Sequence, residues 1–183
     1  MLESLGEAYY SLKDYDRSLD TYNRLLATSK RNARVLSRIA EIYYDKGDLE
    51  RAYEFYHKIT TYEPASENAR VAYLNMGNIL DDAQRYEESI QAYEKALAIS
   101  PKDDAALYNL GIAYKHAGKP QLAIESWKKA AELNPDNPQP LLALADYYYE
   151  NNHYDMAMDE YQRVLRRWPN IQDGHFSLAT IYY

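Results

Sequence analysis

Histidine is the side chain best suited to carry a proton or ligate a metal near neutral pH, and the sequence has four: His57, His116, His153 and His175. They stand in different stretches of the chain without metal-ligand spacing, so each reads as a surface histidine. The motifs G-x-x-x-x-G-K-[ST], G-x-S-x-G and H-E-x-x-H are absent, and with them the phosphate loop, the nucleophile elbow and the zinc-protease helix. Cysteine is absent too, which removes disulfides and thiolate metal sites. The sequence thus offers no catalytic residue, no metal site and no cofactor, and the polar chemistry that remains is that of recognition. Asn75 and Asn109 stand 34 residues apart, and a carboxamide both donates and accepts hydrogen bonds. Asn78, Tyr108 and Lys115 lie close to them in sequence, and Asp82, Asp146 and Tyr149 extend the set.

The elements that must position these residues repeat along the chain. Gly6, Ala40, Gly77, Gly111, Ala145 and Ala179 are spaced 34, 37, 34, 34 and 34 apart. Tyr22, Tyr56, Tyr93, Trp127 and Tyr161 follow the same 34, 37, 34, 34, and Pro64, Pro101, Pro135 and Pro169 follow 37, 34, 34. Three columns that share one three-residue insertion, near Ser66, Glu67 and Asn68, define a repeat. Around each small residue runs a helical face, as in Leu107, Leu110, Gly111 and Tyr114. A turn follows, such as Lys46-Gly47-Asp48, in which Gly can end one helix and Asp48 can cap the next. Pro120 suits the first turn of its helix. A second helix then places a small residue four before an aromatic, as in Ala123 and Trp127.

These columns resemble the tetratricopeptide repeat, whose pattern is W-x2-L-G-x2-Y, then A-x3-F, then P, at a period of 34 residues. The resemblance covers essentially the whole chain. It implies an all-α, right-handed superhelical α-solenoid of about five helix pairs plus one terminal helix, eleven helices in all, in a single array. The units are expected at 1–32, 33–69, 70–103, 104–137, 138–171 and, in part, 172–183. Departures are few: Leu80 replaces the first-helix Tyr of the third unit, Ser18 and Ser89 replace the small Ala, and Lys30 stands where the first unit would have Pro. Each serine needs a hydrogen-bond partner, for which a carbonyl one turn back is the local choice. Leu178, Ala179, Ile181 and Tyr182 are expected to face an absent helix, and no polar cap closes either end. A fragment of a longer array or protein is therefore expected.

The tyrosines sort by column. Tyr9, Tyr43, Tyr114, Tyr148 and Tyr182 on first helices, and Tyr22, Tyr56, Tyr93 and Tyr161 on second helices, are expected in the core, while Tyr15, Tyr86 and Tyr154 plug the turns. Tyr10, Tyr44, Tyr149 and Tyr183 each follow a core Tyr and so are rotated toward the groove lined by first helices, where exposed aromatics act as contact anchors. Asn75, Asn78, Asp82, Tyr108, Asn109, Lys115, Asp146 and Tyr149 are the expected peptide-binding residues. In peptide-binding arrays of this family an asparagine at the place of Asn75 and Asn109 grips the ligand backbone; Ser4, Arg38, Ala143 and Ser177 stand there in the other units. Arg34 and Arg38 resemble the last pair of the family's carboxylate clamp and are the anion-contacting candidates. Glu3 and Glu7, however, occupy the places of its Lys and Asn and oppose an anion. Lys30 and Arg31 complete a local basic cluster that reads as a solvated helix start.

Composition bounds the remaining choices. Apolar residues are 46% and charged residues 27% of 183, enough to bury a core and wet a surface. Tyr contributes 21 residues against two each of Phe and Trp, so the interior uses aromatics with a polar tip. A net charge of −7 argues against a nucleic-acid surface, and no run approaches the roughly 18 apolar residues of a membrane span. Absence of cysteine suits cytoplasm and bacterial periplasm alike, with cytoplasm favoured. The expected function is a protein-interaction scaffold that binds an extended peptide or a helix of a partner in its groove. The alternatives are a scaffold that self-assembles through uncapped ends and the substrate-recruiting arm of a larger enzyme.

Overall fold

A computed structural model describes residues 1–172 and Leu178. The described residues form ten helices: α1 (Leu2–Ser11), α2 (Tyr15–Thr28), α3 (Ala33–Asp45), α4 (Leu49–Tyr62), α5 (Glu67–Asp82), α6 (Tyr86–Ile99), α7 (Asp104–His116), α8 (Pro120–Leu133), α9 (Gln139–Glu150) and α10 (Tyr154–Arg167). No strand occurs among them. The eleventh helix expected from the repeat, with Ala179, Ile181, Tyr182 and Tyr183, falls outside the described residues. Helices α1–α6 make one compact unit, Met1–Pro101, and α7–α10 belong to a second that begins at Lys102. In the first, α1 packs on α2, α3 on α4 and α5 on α6, with α2 also on α3 and α4 on α5; in the second, α7 packs on α8, α8 on α9 and α9 on α10.

Local chemistry sets the helix ends. Pro64, Pro101, Pro135 and Pro169 all lie between or beyond helices, and Pro120 opens α8. Asp14, Asn32, Asp48, Ser66 and Asp103 each accept a hydrogen bond from the backbone N–H three residues on, at 3.0–3.2 Å, satisfying one orphan donor per helix. The insertion at Ser66, Glu67 and Asn68 lengthens α5 to 16 residues, against 13 in α3 and α7. Gly47 and Gly118 turn the chain in the left-handed region at φ +76° and +70°.

The core is built where the small column meets the second-helix aromatic. Tyr22, Tyr56, Tyr93, Trp127 and Tyr161 are 1–3% exposed. A Cβ added to Gly77 would sit 2.5 Å from the Tyr93 ring, and one added to Gly111 would sit 2.5 Å from Trp127 Cδ1. Tyr148 is buried as expected, but Tyr9, Tyr43 and Tyr114 are only half-buried. Their rings lie at the edge of the helix pair, where Arg17 covers Tyr9 at 4.8 Å and Arg51 covers Tyr43 at 4.4 Å.

Ser18 and Ser89 correct the sequence expectation. Their hydroxyls donate not to a carbonyl one turn back but across the pair, to Gly6 O at 2.8 Å and Gly77 O at 2.9 Å. Opposite each serine stands a glycine, so the helices approach closely enough for the hydroxyl to reach. Ser126 does make the bond one turn back, to Leu122 O at 2.7 Å. Ser89→Ala should lower the unfolding free energy by about 1 kcal/mol through loss of this buried bond. A denaturation midpoint that stays put would show that the bond adds nothing to packing.

Candidate functional site

In the second unit, first helices α7 and α9 and the aromatic of α8 enclose a pocket of about 430 Å³. Tyr108 and Lys115 come from α7, Asp146 and Glu150 from α9, and Trp127 with Leu142 gives the pocket its apolar wall. Trp127 Nε1–H donates to Tyr108 O at 3.2 Å, which fixes the indole under the pocket. Tyr161 donates its hydroxyl to Asp146 Oδ1 at 2.5 Å, and Lys115 Nζ lies 2.5 Å from Glu150 Oε2. Burial first, and the Asp146 charge second, raise the Tyr108 hydroxyl above the ordinary phenol range, so at neutral pH it remains a donor. Tyr149 turns to Tyr154, with ring centroids 5.8 Å apart, and Asn109 is half-buried on α7.

In the first unit, Asn75 and Asn78 of α5 line a smaller hollow of about 200 Å³ with Tyr10, Tyr44 and Asp45. Tyr93 donates to Asn78 Oδ1 at 2.7 Å, so this carboxamide is held from below. Tyr10 donates to Asp45 at 2.8 Å and Tyr44 to Asp82 at 3.3 Å. These bonds run from one first helix to the next, and in the second unit the Lys115–Glu150 pair spans the equivalent places. Loss of water around the ring, and then the bond to Asp45, push the Tyr10 hydroxyl up to about 12.

Arg34 and Arg38 line a third hollow, of about 500 Å³, together with Glu3 and Glu7. The Arg38 guanidinium lies 3.1 Å from Glu7 and 2.6 Å from Glu41, so its charge is already balanced within the protein. Arg34 is exposed.

The structure therefore brings Tyr108, Lys115 and Asp146 together, and separately Asn75 and Asn78. Asn75, Asn78 and Asp82 belong to the first unit; Tyr108, Asn109, Lys115, Asp146 and Tyr149 belong to the second. Sequence reasoning missed Trp127, Leu142 and Glu150. Two signals were available: Trp127 stands in a column otherwise made of Tyr, and its N–H needs an acceptor; Glu150 follows Lys115 by 35 residues, as Asp45 follows Tyr10. Among the described residues no group of three or more His, Asp or Glu side chains is placed to hold a metal, and no helix is long and apolar enough to cross a membrane.

Four family models match, described as tetratricopeptide repeat over residues 5–78, 105–137 and 126–159 and as TPR repeat over 77–118. Similar solved structures include a tetratricopeptide repeat protein from Parabacteroides merdae ATCC 43184, at TM-score 0.85 and 16% identity, over 99% of this chain and 71% of that one. MamA from Desulfovibrio magneticus RS-1 aligns at TM-score 0.81 and 19% identity, over 93% and 95% of the two chains. YrrB, described as a TPR protein with an unusual peptide-binding site, aligns at TM-score 0.70 and 23% identity, over 88% and 81%. With matched repeats spanning most of its length and the helix pairs, caps and small-residue contacts that the repeat demands, the chain belongs to the tetratricopeptide repeat family.

Proposed function

We propose that this chain is a protein-interaction scaffold that takes an extended peptide segment, or a helix, of a partner protein on its first-helix surfaces. The observation that carries this reading is the second unit's pocket, where an apolar wall of Trp127 and Leu142 meets the polar rim of Tyr108, Lys115, Asp146 and Glu150. An apolar wall with a few fixed polar groups is how such sites combine affinity with orientation. Lys115 is neutralised by Glu150, which leaves Asp146 to set the sign of the rim, and Asp82 adds the same sign on the first unit. The ligand is therefore basic or neutral. On the second unit Asn109 serves the ligand backbone and Tyr108 and Tyr149 its side chains; on the first unit, taken by itself, Asn75 serves a backbone in the same way. Tetratricopeptide arrays commonly hold other proteins, and YrrB is described as having a peptide-binding site.

The test is binding by the intact chain and by the double variant N75A/N109A to partners recovered by affinity capture. The double variant should bind about 1–3 kcal/mol more weakly through lost hydrogen bonds, with helix content and melting unchanged. Full affinity of that variant for every recovered partner would move the binding surface away from these first helices. The single variants then report on each unit by itself.

A further inference from the structure

A second cavity lies away from these residues, between α4 and α5 of the first unit, and it comes from two departures from the repeat. Between α2 and α3 the equivalent places carry a ring and a cation. Tyr43 of α3 joins an apolar cluster that Tyr15 and Leu19 of α2 also join and stacks on Phe55 of α4 at 5.6 Å, and Lys46 at the end of α3 lies 2.8 Å from Asp16. One repeat on, α4 offers Leu49, Glu50 and Tyr53 in the places of Tyr15, Asp16 and Leu19. Helix α5 and the residue after it, however, offer Leu80 and Ala83 in the places of Tyr43 and Lys46. A ring and an ammonium group are both missing. What is left is a cavity of about 460 Å³ walled by Leu49, Tyr53, Ile79, Leu80 and Ala83, with Glu50 and Glu54 also on its lining. Arg85 lines the same cavity, but Glu88 holds it at 2.6 Å, whereas among the described residues neither Glu50 nor Glu54 has an ion-pair partner. In the second unit the equivalent residue is again a ring: Tyr148, 6% exposed, belongs to an apolar cluster that Ile124 of α8 also joins.

We infer that this cavity is a docking site for a partner helix that supplies what the repeat lacks. Its occupant is a tyrosine or another large apolar side chain, followed one turn later by a lysine or arginine. The apolar wall takes the ring, and Glu50 takes the cation, as Asp16 takes Lys46. The acidic rim selects the sign of the partner, and the shape of the missing ring selects its size.

The probe is a synthetic helical peptide of about 20 residues, long enough to hold its helix, carrying one Tyr-x-x-Lys on an alanine-rich, uncharged background. Controls carry Tyr-x-x-Glu or Ala-x-x-Lys. Titration into isotope-labelled protein should shift the backbone amides of Glu50, Tyr53, Leu80 and Ala83, and both controls should bind about tenfold or more weakly. The variant L80Y/A83K returns the ring and the cation to the chain itself, and it should keep its helix content while losing the probe. The variant E50Q/E54Q keeps the cavity and should lose only the preference for Lys over Glu. No shift at these four amides, equal binding of the Tyr-x-x-Glu peptide, or undiminished binding to a folded L80Y/A83K would each overturn the proposal. If L80Y/A83K does not fold, the charge preference of E50Q/E54Q decides: loss of the preference supports the site, and its persistence refutes it.

Discussion

Gly111→Leu is expected to lower the unfolding free energy of the second unit by about 1–3 kcal/mol or more, because overpacking at a helix contact forces backbone shifts or strained rotamers. The position has no slack. The first carbon of any side chain there would lie 2.5 Å from Trp127 Cδ1, and the indole cannot retreat without giving up its 3.2 Å bond to Tyr108 O. Leucine adds three further carbons to that collision. Thermal melting followed by circular dichroism is the check. A midpoint within error of the parent would mean that α7 and α8 do not touch at this column.

Removing the indole is the opposite perturbation at the same contact, and its expected effect is larger. Trp127 is 1% exposed and tilts against Tyr147 with centroids 6.2 Å apart. Truncation of a buried Trp to Ala typically costs about 3–5 kcal/mol from lost transfer energy and the cavity left behind. Here the new void opens beside the existing pocket of about 430 Å³, and Tyr108 O loses a donor. Added indole should raise the melting temperature of Trp127→Ala and leave that of the parent chain unchanged, since an apolar cavity of the right shape takes up an apolar guest. A loss below about 1 kcal/mol would mean that the surrounding helices collapse into the space. The two changes share one contact and should not add: leucine at 111 partly fills the hole that alanine at 127 creates, so the double variant should be more stable than the sum predicts.

The helices and their boundaries were legible because they follow from columns. A proline, a capping aspartate or a glycine acts on its own stretch of backbone, so Pro101, Asp48 and Gly47 could be read without knowing what lay across from them. Side-chain partners were less legible, since they depend on the distance between helices. Ser18 and Ser89 were assigned to a carbonyl in their own helix, but the absence of a side chain on Gly6 and Gly77 brought another helix within reach. Tyr9 and Tyr43 have the spacing of core residues, yet their rings stop at the edge under Arg17 and Arg51. The candidate site was half visible. Tyr108, Lys115 and Asp146 do meet, but periodicity placed Asn75 and Asn109 in one strip without showing that they belong to different compact units. In the sequence the departure at Leu80 is one replacement of a first-helix Tyr. Its consequence appears only with Ala83 and Glu50 beside it, three residues brought together by two helices.

The pairing of Gly77 with Ser89, and of Gly6 with Ser18, bears on how such an array can change over generations. In these two pairs the backbone of one helix, the hydroxyl of the other and the aromatic ring beside them are fitted to one another, whereas the second pair uses Ala40, Ala52 and Tyr56 in the same three places. Exchanging α3 for α5 alone would carry the methyl of Ala40 onto the Tyr93 ring, since a Cβ at that place comes within 2.5 Å of it. Helix α1, which carries a glycine at that place, meets no such conflict. Divergence between the glycine–serine form and the alanine form of a pair must therefore proceed by coupled steps in its two helices.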